Sequence, residues 1–186
     1  MVGDSLSAEY GIDRGAGWVA LLERRLDEAK LAATVVNASV SGETTAGGRS
    51  RLAPLLARYR PTHVVVELGA NDALRGLPLT MTRDNLGAMV NAIRGAGARA
   101  MLIGMRLPPN YGARYGAEFA AVFASVAKTE GAALVPFLLA GVADRPDAAR
   151  FFQSDRIHPN ADAHPIILGN VWAVMKPWLL DSLGKR

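Results

Sequence analysis

The sequence predicts an α/β fold, a three-layer α/β/α sandwich in which helices cover both faces of a central, mostly parallel five-stranded sheet. Short, nearly continuous apolar runs recur along the chain, as expected of strands that are buried on both faces. Longer amphipathic stretches separate these runs, and parallel strands need such helical crossovers. With 186 residues, half of them apolar, the chain has the size of one globular domain, which we expect to span residues 1–186.

Each element of this prediction depends on a local pattern. Trp18, Leu21, Leu22 and Leu26 recur at helical spacing, and the β-branched run at 34–36 is typical of a strand. The same alternation repeats to the end of the chain. It predicts helices over residues 17–31, 46–59, 81–95, 117–130 and 161–180, and strands over residues 34–36, 63–68, 100–105 and 133–136, after a first strand shortened to Met1 and Val2.

Composition excludes several classes of function. The net charge of +4 is spread along the chain, with no basic groove interleaved with aromatic residues, so we expect no nucleic-acid partner. The absence of cysteine excludes disulfides and thiolate chemistry. No apolar run is long enough for a bilayer span, so we expect no stable membrane insertion.

Two motifs that would imply a cofactor or a metal fail on their details. Residues 42–49 have the glycine spacing of a phosphate-binding loop, but Gly48 stands where that motif needs lysine. His158, Asp162 and His164 have an irregular spacing that does not place them on one helical face. We therefore expect neither a cofactor nor a metal.

Polar residues follow four of the predicted strands. The segments 3–5, 37–42 and 69–72 come directly after strands, and 155–158 follows the last one. Because ligands of open α/β sheets bind beyond the carboxyl ends of the strands, these segments are expected to form one site.

The residue types in these segments are suited to acyl transfer. A serine hydroxyl needs a base to accept its proton, and Asp155 lies close enough in sequence to His158 to orient that imidazole toward Ser5. Gly42 could bring a backbone N–H, and Asn71 a side-chain NH2, to a developing oxyanion. His63 opens an apolar strand and His164 precedes a proline, so both are predicted to be structural.

The same segments carry a family resemblance. Gly3-Asp4-Ser5-Leu6-Ser7, Gly42, Gly69-Ala70-Asn71-Asp72 and Asp155-Arg156-Ile157-His158-Pro159 resemble the four blocks of the SGNH, or GDSL, hydrolases. The resemblance covers nearly the whole chain. Segments 67–76 and 106–112 are most similar to the bacterial branch of multifunctional acyl-CoA thioesterase I, protease I and lysophospholipase L1.

The resemblance implies a flavodoxin-like fold and a role for each residue. Ser5 would be the nucleophile and its backbone N–H one oxyanion donor, with Gly42 and Asn71 completing the hole. His158 would be the base and then the acid, oriented by Asp155. Members of this branch cleave aryl esters, acyl-CoA thioesters and lysophospholipids without a cofactor. Their acyl groove corresponds here to loops that contain Leu74, Leu77, Pro108 and Tyr111, although loop residues packed on the core would show the same apolar pattern.

The sequence departs from the family in two places. Only Met1 and Val2 remain of the usual apolar first strand, and His164 stands where this branch usually has glutamine. We expect a monomer, with an oligomer that shares a strand as the alternative. The resemblance implies a periplasmic location, whereas a chain that starts natively at Met1 would be cytoplasmic.

Two other functions are compatible with this pattern. The fold could serve as a non-catalytic module that binds acyl groups or carbohydrates, or the enzyme could be a carbohydrate deacetylase. The apolar loop after Asn71 argues against the deacetylase. The pattern specifies neither the leaving group nor the length of the acyl chain.

Overall fold

A computed structural model describes residues 1–183 of the chain. The strands are β1 (Val2–Gly3), β2 (His63–Glu67), β3 (Arg99–Ile103) and β4 (Ala133–Val135), and the α-helices are α1 (Trp18–Glu28), α2 (Thr45–Tyr59), α3 (Ala70–Leu74), α4 (Leu79–Gly95), α5 (Ala113–Glu130) and α6 (His164–Leu183). Short 3₁₀ helices cover Pro109–Tyr111, Ala148–Phe151 and Ala161–Ala163. Among the described residues, no helix is long and apolar enough to cross a bilayer.

The sheet is parallel throughout, with the strands in the order β1-β2-β3-β4. Three consecutive residues of β2, Val64 to Val66, are buried, as are the last four of β3. Successive side chains of a strand point to opposite faces, so both faces of the sheet are covered. Helices α2, α4 and α5 pack in one row, and α1 packs against α6. The predicted α/β sandwich is confirmed.

The predicted strand at 34–36 is not a regular strand, so the sheet has four strands within residues 1–183 rather than five. Its extended chain nevertheless runs beside β1. The Met1 ammonium donates to Val36 O (2.8 Å), Ala38 N donates to Met1 O (2.9 Å) and Val40 N donates to Gly3 O (2.9 Å). These bonds cover the outer edge of β1, but residues 34–36 remain an extended segment outside the regular sheet.

Several helix boundaries differ from the predicted ones. α1 ends at Glu28, and Lys30 just beyond it has a left-handed φ of 55°, which breaks the helical path earlier than residue 31. α5 begins at Ala113, directly after Gly112 with φ of 87°. The helix α3 was not predicted because its five residues are too few to show an apolar period.

Candidate active site

Ser5 lies in a tight turn at the carboxyl end of β1. The Asp4 carbonyl accepts from Ala8 N–H (3.0 Å), and the Asp4 carboxylate accepts from Leu6 N–H (3.0 Å). These bonds form a turn around Ser5, which is half-buried. The serine therefore stands at the sheet edge where the sequence predicts it.

His158 reaches this serine from the other end of the chain. Its Nε2 lies 2.9 Å from Ser5 Oγ, and its Nδ1 lies 2.6 Å from Asp155 Oδ2. The second Asp155 oxygen, Oδ1, accepts from the backbone N–H groups of Ile157 (2.9 Å) and His158 (3.0 Å). The turn between them includes Arg156, with φ of 58°. The structure thus brings together the three residues that the sequence singles out.

The electrostatics of this trio set the tautomer of the imidazole. Backbone N–H donation from His158, followed by its imidazole and the Ile157 N–H, lowers the pKa of Asp155 to about 2. An ionised carboxylate only accepts hydrogen bonds, so Nδ1 of His158 carries the proton that faces it. In the neutral ring, Nε2 is then free to accept from the Ser5 hydroxyl.

Two residues that sequence reasoning missed hold His158 in place. The ring of Tyr10 packs on the imidazole, with centroids 4.4 Å apart. The side chain of Gln153 donates through Nε2 to Tyr10 O (2.8 Å) and Pro159 O (3.0 Å), and its backbone N–H donates to His158 O (2.8 Å). Gln153 therefore ties the histidine loop to the serine turn. Neither residue stands in a motif, so the sequence offered no signal for this contact.

Asn71 lies half-buried at the start of α3, after the carboxyl end of β2. Its Nδ2 donates to Asp4 Oδ2 at 2.9 Å. An ionised carboxylate cannot donate, so this contact fixes which end of the amide is the NH2 group. One N–H of that group is used by Asp4, and no contact found within residues 1–183 uses the other.

Gly42 lies in the loop before α2, with φ of 78°, a conformation that favours glycine. The Gly42 carbonyl accepts from Arg75 Nη2 at 2.9 Å. The start of α2 is also held from α3, since Thr45 N–H donates to Asp72 Oδ2 (2.8 Å) and the Thr45 hydroxyl bonds to Asp72 Oδ1. These contacts link the Gly42 loop to the helix that carries Asn71.

The predicted groove residues lie on two neighbouring segments. Leu74 and Leu77 are half-buried at and after the end of α3, whereas Pro108 and Tyr111 are exposed around the 3₁₀ helix before α5. The hydroxyl of Tyr115 in α5 donates to Ala73 O at 3.5 Å, which connects the two segments. No described contact joins these four side chains to Ser5, so their role as a groove stays a prediction.

The two other histidines lie outside this cluster. Nδ1 of His164 accepts from Trp18 N–H at 3.0 Å, and burial lowers the pKa of His164 to about 4. His63 packs edge-on against Trp178, with ring centroids 4.7 Å apart. Within residues 1–183, no three His, Cys, Asp or Glu side chains are grouped as metal ligands.

Comparison with known proteins gives concordant matches. The model of the GDSL-like Lipase/Acylhydrolase family matches residues 1–166. Esterase TesA of Pseudomonas aeruginosa is 48% identical over 96% of this chain and 88% of its own. Thioesterase 1/protease 1/lysophospholipase L1 of Escherichia coli K12 is 41% identical over 90% of this chain and 77% of its own. The psychrotrophic esterase EstA from Pseudoalteromonas sp., solved with monoethylphosphonate as inhibitor, superposes with a TM-score of 0.88 at 40% identity and 96% coverage of both chains.

Proposed function

Because the chain belongs to the GDSL-like lipase and acylhydrolase family and is therefore an esterase or thioesterase, we propose that it works through an acyl-enzyme formed on Ser5. The observation that carries this proposal is the 2.9 Å contact between Ser5 Oγ and His158 Nε2, backed by the 2.6 Å contact of Nδ1 with Asp155. Such a chain of contacts turns a weak nucleophile into a competent one at neutral pH.

The proposed reaction has two stages, acylation and deacylation of Ser5, and His158 transfers the proton in each. Ser5 Oγ attacks the acyl carbon as its proton passes to Nε2 of His158, and the acyl oxygen takes up the electron pair of the C=O bond. Collapse of this intermediate breaks the bond to the alcohol or thiol, which leaves with the proton from Nε2. A water molecule then repeats the sequence on the acyl-enzyme, and Ser5 regains its proton.

The developing oxyanion would be held by the Ser5 N–H, the Gly42 N–H and the free N–H of Asn71. Donors that are fixed in advance stabilise this charge without reorganising during the reaction. The Asp4 contact to Asn71 Nδ2 supports this role, because it leaves the amide with an N–H, rather than its carbonyl, available for the anion.

We further propose aryl esters, acyl-CoA thioesters and lysophospholipids as substrates, with the acyl chain bound along Leu74, Leu77, Pro108 and Tyr111. The thioesterase and lysophospholipase in the name of the Escherichia coli relative support the last two classes. We also propose that the protein acts in the periplasm as a monomer, which cell fractionation and light scattering would test.

The central test is the Ser5→Ala variant on a short p-nitrophenyl ester. We expect turnover to fall by several orders of magnitude, about 10⁴-fold or more. A fluorophosphonate should label the wild type at Ser5, with the adduct located by peptide mass spectrometry, and should not label the variant. Full turnover in Ser5→Ala would refute the proposal. Replacing Asn71 by alanine should lower kcat by about 10²- to 10³-fold.

A further inference from the structure

A carboxyl group that no proposed step uses contacts the residues on either side of Ser5, at Asp4 and Ser7. Glu67, the last residue of β2, is completely buried, and Asp4 beside it is 1% exposed. Glu67 Oε2 accepts from the Ser7 hydroxyl (2.8 Å) and from Asp4 N–H (3.3 Å). Gly3 leaves the space for this contact, because a Cβ on Gly3 would lie 2.9 Å from the same Glu67 oxygen.

Of the two buried acids, Glu67 holds a proton more tightly than Asp4. Burial, and then the charge of Asp4, raises the pKa of Glu67 well above its usual range. Burial also raises the pKa of Asp4, but hydrogen bonds from Leu6, Glu67 and Asn71 limit the rise to about 6. The proton is therefore favoured on Glu67 and the negative charge on Asp4, where the Asn71 amide donates to it.

The hydrogen bonds around Glu67 agree with this distribution. Its Oε2 already accepts two hydrogen bonds, whereas Oε1 accepts none from the described residues. A buried, charged oxygen without a donor is costly, and a proton on Glu67 removes that cost. The same proton lets the side chain donate toward Asp4.

We infer that Glu67 is a positioning residue: its neutral carboxyl holds the Asp4 carboxylate, and Asp4 holds the Asn71 amide with an N–H turned toward the acyl oxygen of the substrate. This inference rests on the proposed function of Ser5 and Asn71. Glu67 thus helps to stabilise the transition state through Asp4 and Asn71, without contacting the reacting atoms.

The consequence is specific, because an oxyanion donor acts in the transition state rather than on the bound substrate. Without Glu67, Asp4 loses a donor and the Asn71 amide loses its fixed acceptor. We expect kcat to fall while KM stays nearly constant. If Glu67 served only folding, its replacement would lower the amount of active protein, but kcat and KM per titrated active site would stay normal.

The first test compares Glu67→Leu with Glu67→Gln, using p-nitrophenyl butyrate and titrated active sites. Leucine has a similar volume but no polar atoms, and we expect kcat to fall about 10- to 100-fold with KM changed less than about threefold. Glutamine can donate to Asp4 and accept from Ser7, and it should restore kcat to within about tenfold of the wild type. Val64→Ala, a buried change at the other end of β2, is the control and should leave kcat within about twofold.

A double-mutant cycle separates positioning from general damage. In an Asn71→Ala background, Glu67→Leu should cost less than about threefold in kcat, because the group it positions is already gone. Equal costs in both backgrounds would overturn the inference, as would a Glu67→Leu enzyme with wild-type kcat.

Should Glu67→Leu fail to fold, infrared spectroscopy of the wild type and Glu67→Gln decides the point. A band from a protonated carboxylic acid at neutral pH, absent from Glu67→Gln, is expected, and the lack of such a band overturns the inference. Fluorophosphonate labelling distinguishes the two proposals. If Ser5 is labelled but the effects of Glu67→Leu and Asn71→Ala on kcat are additive, only the role of Glu67 is refuted. If Ser5 is not labelled and Ser5→Ala keeps full turnover, the proposed function is refuted and the role of Glu67 with it.

Discussion

Replacing His164 by glutamine should make the protein more resistant to acid, with little change at neutral pH. His164 opens α6 and is only 3% exposed, and its Nδ1 accepts the first backbone N–H of α1, from Trp18, at 3.0 Å. The cap residue of α1, Gly17, has no side chain to accept that N–H. The imidazole can accept this hydrogen bond only while Nδ1 is unprotonated. A proton on Nδ1 would also lie next to the positive end of the helix dipole.

The magnitude follows from the pKa. Burial lowers the pKa of His164 from 6.5 to about 4, so the unfolded chain binds a proton between these values that the folded chain does not. The contribution of His164 to the free energy of unfolding is therefore fully present above pH 6.5 and is lost as the pH falls toward 4. At 1.36 kcal/mol per pH unit, the shift corresponds to at most about 3 kcal/mol, or roughly 6–12 °C in Tm for a chain of this size.

Glutamine can accept the Trp18 N–H through Oε1 and does not titrate. We expect the Tm values of wild type and His164→Gln to agree within a few degrees at pH 7.5 and to diverge steadily between pH 6.5 and 4, with the variant higher. Differential scanning calorimetry at constant ionic strength measures both curves. A Tm difference that is the same at pH 7.5 and pH 4.5 would refute the reasoning, because it would mean that His164 does not gain a proton on unfolding.

Three further variants test the site. Asp155→Asn keeps the shape of the carboxylate but can favour the wrong tautomer of His158, and it should lower kcat on a p-nitrophenyl ester by about 10³- to 10⁴-fold. Asp72→Ala removes the acceptor of the Thr45 N–H and hydroxyl; urea denaturation should show a loss of about 3 kcal/mol, and an unchanged midpoint would contradict the link between α2 and α3. Gly3→Ala brings a Cβ within 2.9 Å of Glu67 Oε2, and it should cost about 1–3 kcal/mol of stability together with a lower kcat.

The sequence was most informative where one physical cause dominates. Strands buried on both faces need apolar side chains at every position, so the runs at 63–68 and 100–105 predicted β2 and β3 closely. The polar residues that interrupt this pattern at the strand ends then predicted the site. Ser5 and His158 were brought together because parallel strands share one carboxyl edge.

The remaining features depend on partners that are distant in sequence. Glu67 ends an apolar run and its burial is tolerated only because Asp4 and Ser7 meet it across 60 or more residues. The extended chain near Val36 was predicted as a strand from its β-branched residues, yet whether it joins the sheet depends on its pairing with β1, which is distant in sequence. Both features depend on tertiary contacts, which cannot be predicted from the local spacing of residues.

Because β1 has only two residues, the contacts that hold the nucleophile in place need to be identified. The register of β1 with β2 sets Gly3 opposite Glu67, so the pairing is placed at the end of the strand that carries Ser5. On the other side, Gly3 O accepts from Val40 N–H at 2.9 Å. These backbone contacts of β1 therefore lie next to the serine. The acid pair adds the contact between Asp4 N–H and Glu67 at the same point, so the position of Ser5 is fixed by bonds that do not depend on the length of its strand.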